Sequence, residues 1–374
     1  MVSFPGASPD DAGFGGRFDG QRPRRFRPLQ RVLGLLLGLL VVVGGLWFLF
    51  GRPRAPVDSH EALRVMTYSS FMSAWGPGPE IAKRFRDETG IAVEFQDAGD
   101  AGLILEKLKL FPVDAVVGLD RFALPQARER IQWREIAPLK EAPGSIAKSP
   151  SVVHRNEFFK EDSFVAVDWA PLAFVYRDSE IREPTHMQEL LDPRFKGAIA
   201  LEDPRTSTPG LQFLLWVLQI YGEEQGFKFL TSLKPNLHSV SPSWSTAYGA
   251  FTKKQAKLVL SYMTSPIYHL TEEKDPSFRA AAFSNGHPIQ VEYAGIPTGC
   301  ARCSDAETFV HFLLKTEIQA VIMKKNFMMP VVEAATAGTP FESLPPFTPL
   351  ELTRAPEFMK RREFLFEKWR KLGL

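Results

Sequence analysis

The hydropathy of the chain changes sharply near residue 60. Before it, residues 32–50 form an uncharged run, VLGLLLGLLVVVGGLWFLF. After it, short apolar segments alternate with amphipathic ones. Residues 63–68 (LRVMTY) and 91–95 (IAVEF) read as strands, and 113–119 (VDAVVGL) as an apolar strand. Between them, 79–89 (PEIAKRFRDET) places Ile81 and Phe85 at helical spacing and is closed by Gly90, and 103–110 forms a second helix. Strand–helix–strand–helix–strand predicts a parallel sheet covered by helices. The alternation resumes with strands at 164–167, 174–176 and 198–201, a helix at 210–221, a buried strand at 258–262 (LVLSY), and amphipathic helices at 308–314 and 318–324. No internal repeat is visible. The pattern predicts an α/β body of two lobes with strands crossing between them. Ligands of such sheets sit at the carboxyl ends of strands, so the loops after strands are the places to look.

The run at 32–50 is long enough to cross a hydrocarbon core of about 30 Å. Residues 1–31, rich in Gly, Pro, Arg and Asp, are expected to be disordered. Six arginines precede the run and two follow it, which orients the N-terminus to the cytoplasm and exports the body. A cleaved signal peptide and an uncleaved signal anchor both fit. The run exceeds a usual signal core and no A-x-A site follows it, which favours an anchor in the inner membrane, with 51–61 as linker.

Charge then changes the picture. The 374 residues carry a formal net charge of +2. Residues 1–60 hold a net +4, so the remainder is −2. The basic character belongs to the N-terminus, and the body shows no basic stripe for nucleic acid.

Candidate chemistry lies in loops after predicted strands. Tyr68 and Trp75 stand in YSSFMSAWGPGP, where Trp75 has little apolar company and suits a ligand wall. Asp120 ends VVGLD, where it can accept from a ligand amine or cap the next turn. DPRTSTPG (203–210) sets Thr206 and Ser207 at a helix start, which suits either plain capping or an anion. Trp244 in SWSTAYG and Tyr262 and Tyr268 in SYMTSPIYH complete an aromatic set, since such faces attract cations by roughly 0.5–2 kcal/mol each. The combination describes a cleft for a cationic ring with an anionic end.

In order, YSSFMSAWGPGP, VVGLD, LEDPRTSTPGLQFLLW, SWSTAYGAF and LVLSYMTSPIYH resemble the thiamine-binding periplasmic proteins of ABC transporters, as do FSNGHPIQVE and FMMPV. The likeness covers roughly residues 62–330. It implies a type 2 periplasmic-binding-protein fold, with lobe 1 at 62–165 and 284–335, lobe 2 at 166–283, and 336–374 as a C-terminal segment of unassigned lobe. It implies ligand contacts at Trp75, Asp120, Ser207, Trp244, Tyr262 and Tyr268, with Tyr68 and Thr206 as neighbours. The thiazolium would lie against Tyr and Trp faces, Asp120 would accept from the aminopyrimidine, and Ser207 would hold the hydroxyethyl end or its phosphates. Thiamine, its monophosphate and its pyrophosphate are all admitted as ligands. The partner implied is an ABC permease, and the carrier is expected to be monomeric and to need no cofactor. Residues 295–303 and the basic tail 358–374 depart from the family pattern.

Cys300 and Cys303 could close a small disulfide in an exported protein. A thioredoxin-like site would need the pair to open a helix after a strand, and the sequence reads it as a loop. The seven histidines show no metal-ligand spacing, and His269 beside the candidate site is expected to be structural. No G-x-S-x-G, H-E-x-x-H or P-loop pattern appears, so no enzyme activity is expected. Ferric iron would want a tandem tyrosine pair, and a polyamine would want several carboxylates where only Asp120 is evident. A thiamine-metabolising enzyme on the same fold is the remaining alternative.

Overall fold

The computed structural model describes residues 62–136 and 162–374. The expected disordered N-terminus, membrane run and linker lie outside the described residues. Among the described residues no helix is long and apolar enough to cross a membrane.

The strands are β1 (Leu63–Thr67), β2 (Val93–Asp97), β3 (Ala115–Asp120), β4 (Phe164–Arg177), β5 (Ile199–Glu202), β6 (Leu237–Ser241), β7 (Leu258–Tyr262), β8 (Phe278–Ala280), β9 (Ile289–Gly295) and β10 (Met329–Pro330). The principal helices are α1 (Gly78–Thr89), α2 (Thr208–Leu233), α3 (Trp244–Thr252), α4 (Cys303–Phe312), α5 (Thr316–Asn326), α6 (Ala355–Lys360) and α7 (Arg362–Lys371). Strand order is β2-β1-β3-β9-β4-β7-β5-β6. β1 pairs in parallel with β2 and β3, and β5 pairs in parallel with β6 and β7. These are the two parallel blocks.

β4 joins the blocks. The sequence suggests two strands here, and the structure has one of 14 residues. Asp168 and Pro171 interrupt its apolar run. Up to Pro171 the strand pairs with β9, and from Leu172 it pairs with β7. A proline lacks the N–H that a ladder needs, and a change of partner is a position that tolerates it. The boundary expected at 165/166 thus falls inside a continuous strand whose partner changes at 171/172.

Helix α1 connects β1 to β2. Its buried Ile81 and Phe85 lie one turn apart, and Phe85 meets Phe309 and Phe312 of the α4 region edge-on at 5.2 Å. Pro79 opens the helix, and Gly90, with φ 76°, ends it. α2 is broken at Gly222, whose φ is 76° and ψ 173°, and the helix expected at 210–221 stops just before this break. The second-lobe core contains Phe213, Trp216 and Leu218 of α2 together with Leu352, Phe358, Leu365 and Trp369. The C-terminal helices therefore belong to that lobe.

Candidate ligand-binding cleft

Each parallel strand delivers a polar or aromatic residue at its carboxyl end. In the first lobe Tyr68 follows β1, Asp100 follows β2 and Asp120 ends β3. In the second lobe Ser207 follows β5, Trp244 follows β6 and Tyr262 ends β7. This is the end of the sheet where an α/β fold presents its ligands.

Tyr68 is buried, and its OH donates to Glu292 Oε2 at 2.6 Å and accepts from Asn326 Nδ2 at 2.8 Å. Its ring lies against Gly118, where a Cβ would stand 2.5 Å from the ring and where φ is +101°. Only glycine fits there. Glu292 Oε1 accepts from Gln290 Nε2 at 3.1 Å, and Gln290 Oε1 accepts from Tyr262 OH at 2.9 Å. The tyrosines of the two lobes are thus joined through Gln290 and Glu292. Sheet register sets Asp120 opposite Glu292 and Asp168 opposite Glu292 on the other side. Three carboxyls therefore lie in a row across β3, β9 and β4, all buried. Burial pushes each of them up, Asp120 to about 6. Burial and the neighbouring carboxyls also raise both tyrosines.

Asp120 accepts from the N–H of Phe122 at 2.8 Å, so it does cap the following turn. Its second oxygen accepts from Gln212 Nε2 of α2 at 2.7 Å and so reaches the other lobe. Asp100 makes a similar crossing. Its carboxyl accepts from the backbone N–H of Thr208 at 3.3 Å and of Trp244 at 3.1 Å, the first residues of α2 and α3. The anion position expected at the start of α2 is occupied here by the protein's own carboxyl. Ser207 Oγ is buried with no hydrogen-bond partner. Burial raises the Asp100 carboxyl, and the N–H groups of Trp244, Gly102 and Thr208 pull it back down in part. Glu202 is buried with both carboxyl oxygens unpartnered, and burial pushes it well up.

On the second lobe, Trp244 stacks on Tyr248 at 4.9 Å and donates its indole N–H to Ser261 Oγ at 2.9 Å. Tyr248 OH meets His269 Nε2 at 2.9 Å, and His269 Nδ1 meets Glu273 at 2.6 Å. Both nitrogens of this buried histidine are satisfied, which is a structural role. Burial lowers its pKa.

The structure thus gathers Tyr68, Asp120, Ser207, Trp244 and Tyr262. Tyr268 sits at the margin, edge-on to Phe327 at 5.2 Å. The Thr206 hydroxyl donates to the Pro242 carbonyl at 2.7 Å and holds the loop. Trp75 is 58% exposed and stands outside the packed network. The sequence reading missed Asp100, Asp168, Glu202 and Glu292, so its view of Asp120 as the lone carboxylate is corrected. Glu202 was legible as the residue just past the strand predicted at 198–201, one before DPRTSTPG. Asp168 and Glu292 gave no signal, because single acids inside strands look like exposed positions.

Cys300 and Cys303 are joined by a disulfide with Cα atoms 5.2 Å apart. Cys303 opens α4, so the pair leads into a helix and does not lie wholly in a loop as the sequence suggested. Among the described residues no group of three or more His, Cys, Asp or Glu could hold a metal ion.

Two parallel blocks, crossing strands and a polar cleft at their carboxyl ends define a solute-binding protein of the periplasmic-binding-protein fold. Residues 102–350 match the family of bacterial extracellular solute-binding proteins. The chain is 35% identical over 346 residues to the thiamine-binding periplasmic protein of Brucella melitensis, covering 91% of this chain and 98% of that one. It is 34% identical over 326 residues to the thiamine-binding periplasmic protein of Escherichia coli, covering 85% and 95%. A solved structure described as a periplasmic thiamin binding protein superposes with a TM-score of 0.73 at 30% identity, covering 85% of this chain and 98% of that one. The chain belongs to the family of thiamine-binding periplasmic proteins.

Proposed function

We propose that this protein captures thiamine outside the cytoplasm and passes it to the permease of an ABC importer. One observation carries the reading: aromatic residues from both lobes, Tyr68, Tyr262 and Trp244, stand around buried carboxyls. Thiamine is a flat, permanently cationic ring joined to an aminopyrimidine, with a hydroxyethyl end. Its charge suits aromatic faces and carboxyls together. In this reading Asp120 accepts from the aminopyrimidine amine. Ser207 suits the hydroxyethyl end, and the first N–H groups of α2 and α3 suit a phosphate that displaces Asp100.

We read the protein as a monomeric carrier rather than an enzyme, tethered to the inner membrane by residues 32–50. The test is to denature purified, loaded protein and assay what it releases. Intact thiamine is expected, and cleavage products would make it an enzyme. Mass spectrometry of the native N-terminus tests the tether, because a chain starting beyond residue 50 would remove it.

Polyamine capture, the alternative on the same fold, is not favoured: putrescine at equal concentration is expected not to compete with thiamine.

A further inference from the structure

Asp168 and Glu292 face each other across β4 and β9, 0% and 5% exposed. Neither makes an ion pair with a lysine or arginine among the described residues. Each has neutral partners only. Glu292 is held by Tyr68 OH and Gln290 Nε2, and Asp168 Oδ2 by Asn326 Nδ2 at 2.8 Å. Asn326 also donates to Tyr68 OH, so one amide ties the pair to the aromatic wall. The groups facing the pair add no positive charge. Asp120 lies beside Glu292 on β3, and Tyr262 on β7 stands near both, with Asp100 and Glu202 beyond it.

Two adjacent buried carboxyls cannot both ionise without a cation, so in the empty cleft the pair holds a proton. One atom here remains unsatisfied: Asp168 Oδ1 is buried with no partner. Buried acceptors are ordinarily paired, so an unpartnered carboxyl oxygen beside a fixed aromatic wall marks where a ligand belongs.

We propose that Asp168 and Glu292 form the counter-charge for the ligand's cationic ring, and that entry of the cation expels the proton the pair shares in the empty state. This rests on the thiamine reading above and adds the residues that recognise its charge. The balance is simple: one fixed positive charge enters and one proton leaves to solvent. The pair then selects a permanently charged ring over a neutral one of the same shape.

The test is titration calorimetry of the full chain with thiamine between pH 6 and 8, in buffers of different ionisation enthalpy. A second ligand is the thiophene isostere, whose ring carries no charge. The wild type is expected to release about one proton per thiamine and to prefer thiamine over the isostere by at least tenfold. Asp168→Asn and Glu292→Gln are expected to release less and to lose most of that preference. Thiamine binding without proton release in the wild type, or full preference retained in both variants, would overturn the inference alone. Failure of the folded wild type to bind thiamine would overturn the proposed function as well. The wild-type measurement stands even if a variant fails to fold.

Discussion

The backbone N–H of Trp244 in the second lobe donates to the carboxyl of Asp100 in the first at 3.1 Å. The same carboxyl takes the first N–H of α2, so one side chain engages two helix N-termini across the cleft. Hydrogen bonds to a charged group contribute about 1.5–3 kcal/mol. Asp100→Ala is therefore expected to weaken thiamine binding by about tenfold or more in calorimetry while leaving the melting temperature nearly unchanged. Unchanged affinity would show that the crossing is not made in the closed protein.

Gly102 lies where the lobes touch backbone to backbone. A Cβ added there would stand 2.8 Å from the carbonyl oxygen of Thr206. Gly102→Val is expected to hold the lobes apart and to reduce thiamine affinity at least tenfold, with the fold intact by circular dichroism. Small-angle scattering should show a larger radius of gyration with thiamine present than for the loaded wild type.

Trp244 and Trp75 are expected to behave differently. Trp244 is packed between Tyr248 and the cleft, whereas Trp75 is mostly exposed. A cation–aromatic contact is worth roughly 0.5–2 kcal/mol, so Trp244→Ala should weaken binding by about 2- to 30-fold. Trp75→Ala should change affinity less than twofold. A larger loss at Trp75 than at Trp244, measured by titration, would move the ligand toward the first loop.

Asp120 makes stability depend on pH. Its pKa is raised by burial from the ordinary carboxyl range to about 6. A raised acid favours the protonated form in the folded chain. Its contribution is fully present below about pH 4 and is lost as pH rises through 6. The loss is on the order of 3 kcal/mol from this group. The unliganded protein should therefore lose stability between about pH 4 and 6, and Asp120→Asn should flatten that loss in chemical denaturation. A variant with the wild-type profile would assign the dependence to other carboxyls.

The sequence made β1 to β3 and, in the second block, β5 and β7 legible because these strands are short apolar runs closed by turn residues, as in VDAVVGL before Asp120. It made Tyr262 legible because that residue closes the apolar run LVLS, whereas Trp244 follows β6, a polar LHSVS strand that the sequence did not reveal. It misread β4, since Asp168 and Pro171 look like strand breakers when their partners are unseen. It missed β9 for a related reason. All seven residues of IQVEYAG are buried, so the alternation that marks a strand is absent. The same burial hid Glu292, because no local pattern distinguishes an acid in the core from one in water. Asp100 was hidden by distance: its partners Thr208 and Trp244 lie more than a hundred residues away.

The most direct test is titration of the purified protein with thiamine, followed by intrinsic tryptophan fluorescence. Trp244 lies in the cleft and should report occupancy. A saturable quench at low micromolar thiamine or below is expected. A well-folded sample with no quench at several hundred micromolar would contradict thiamine capture.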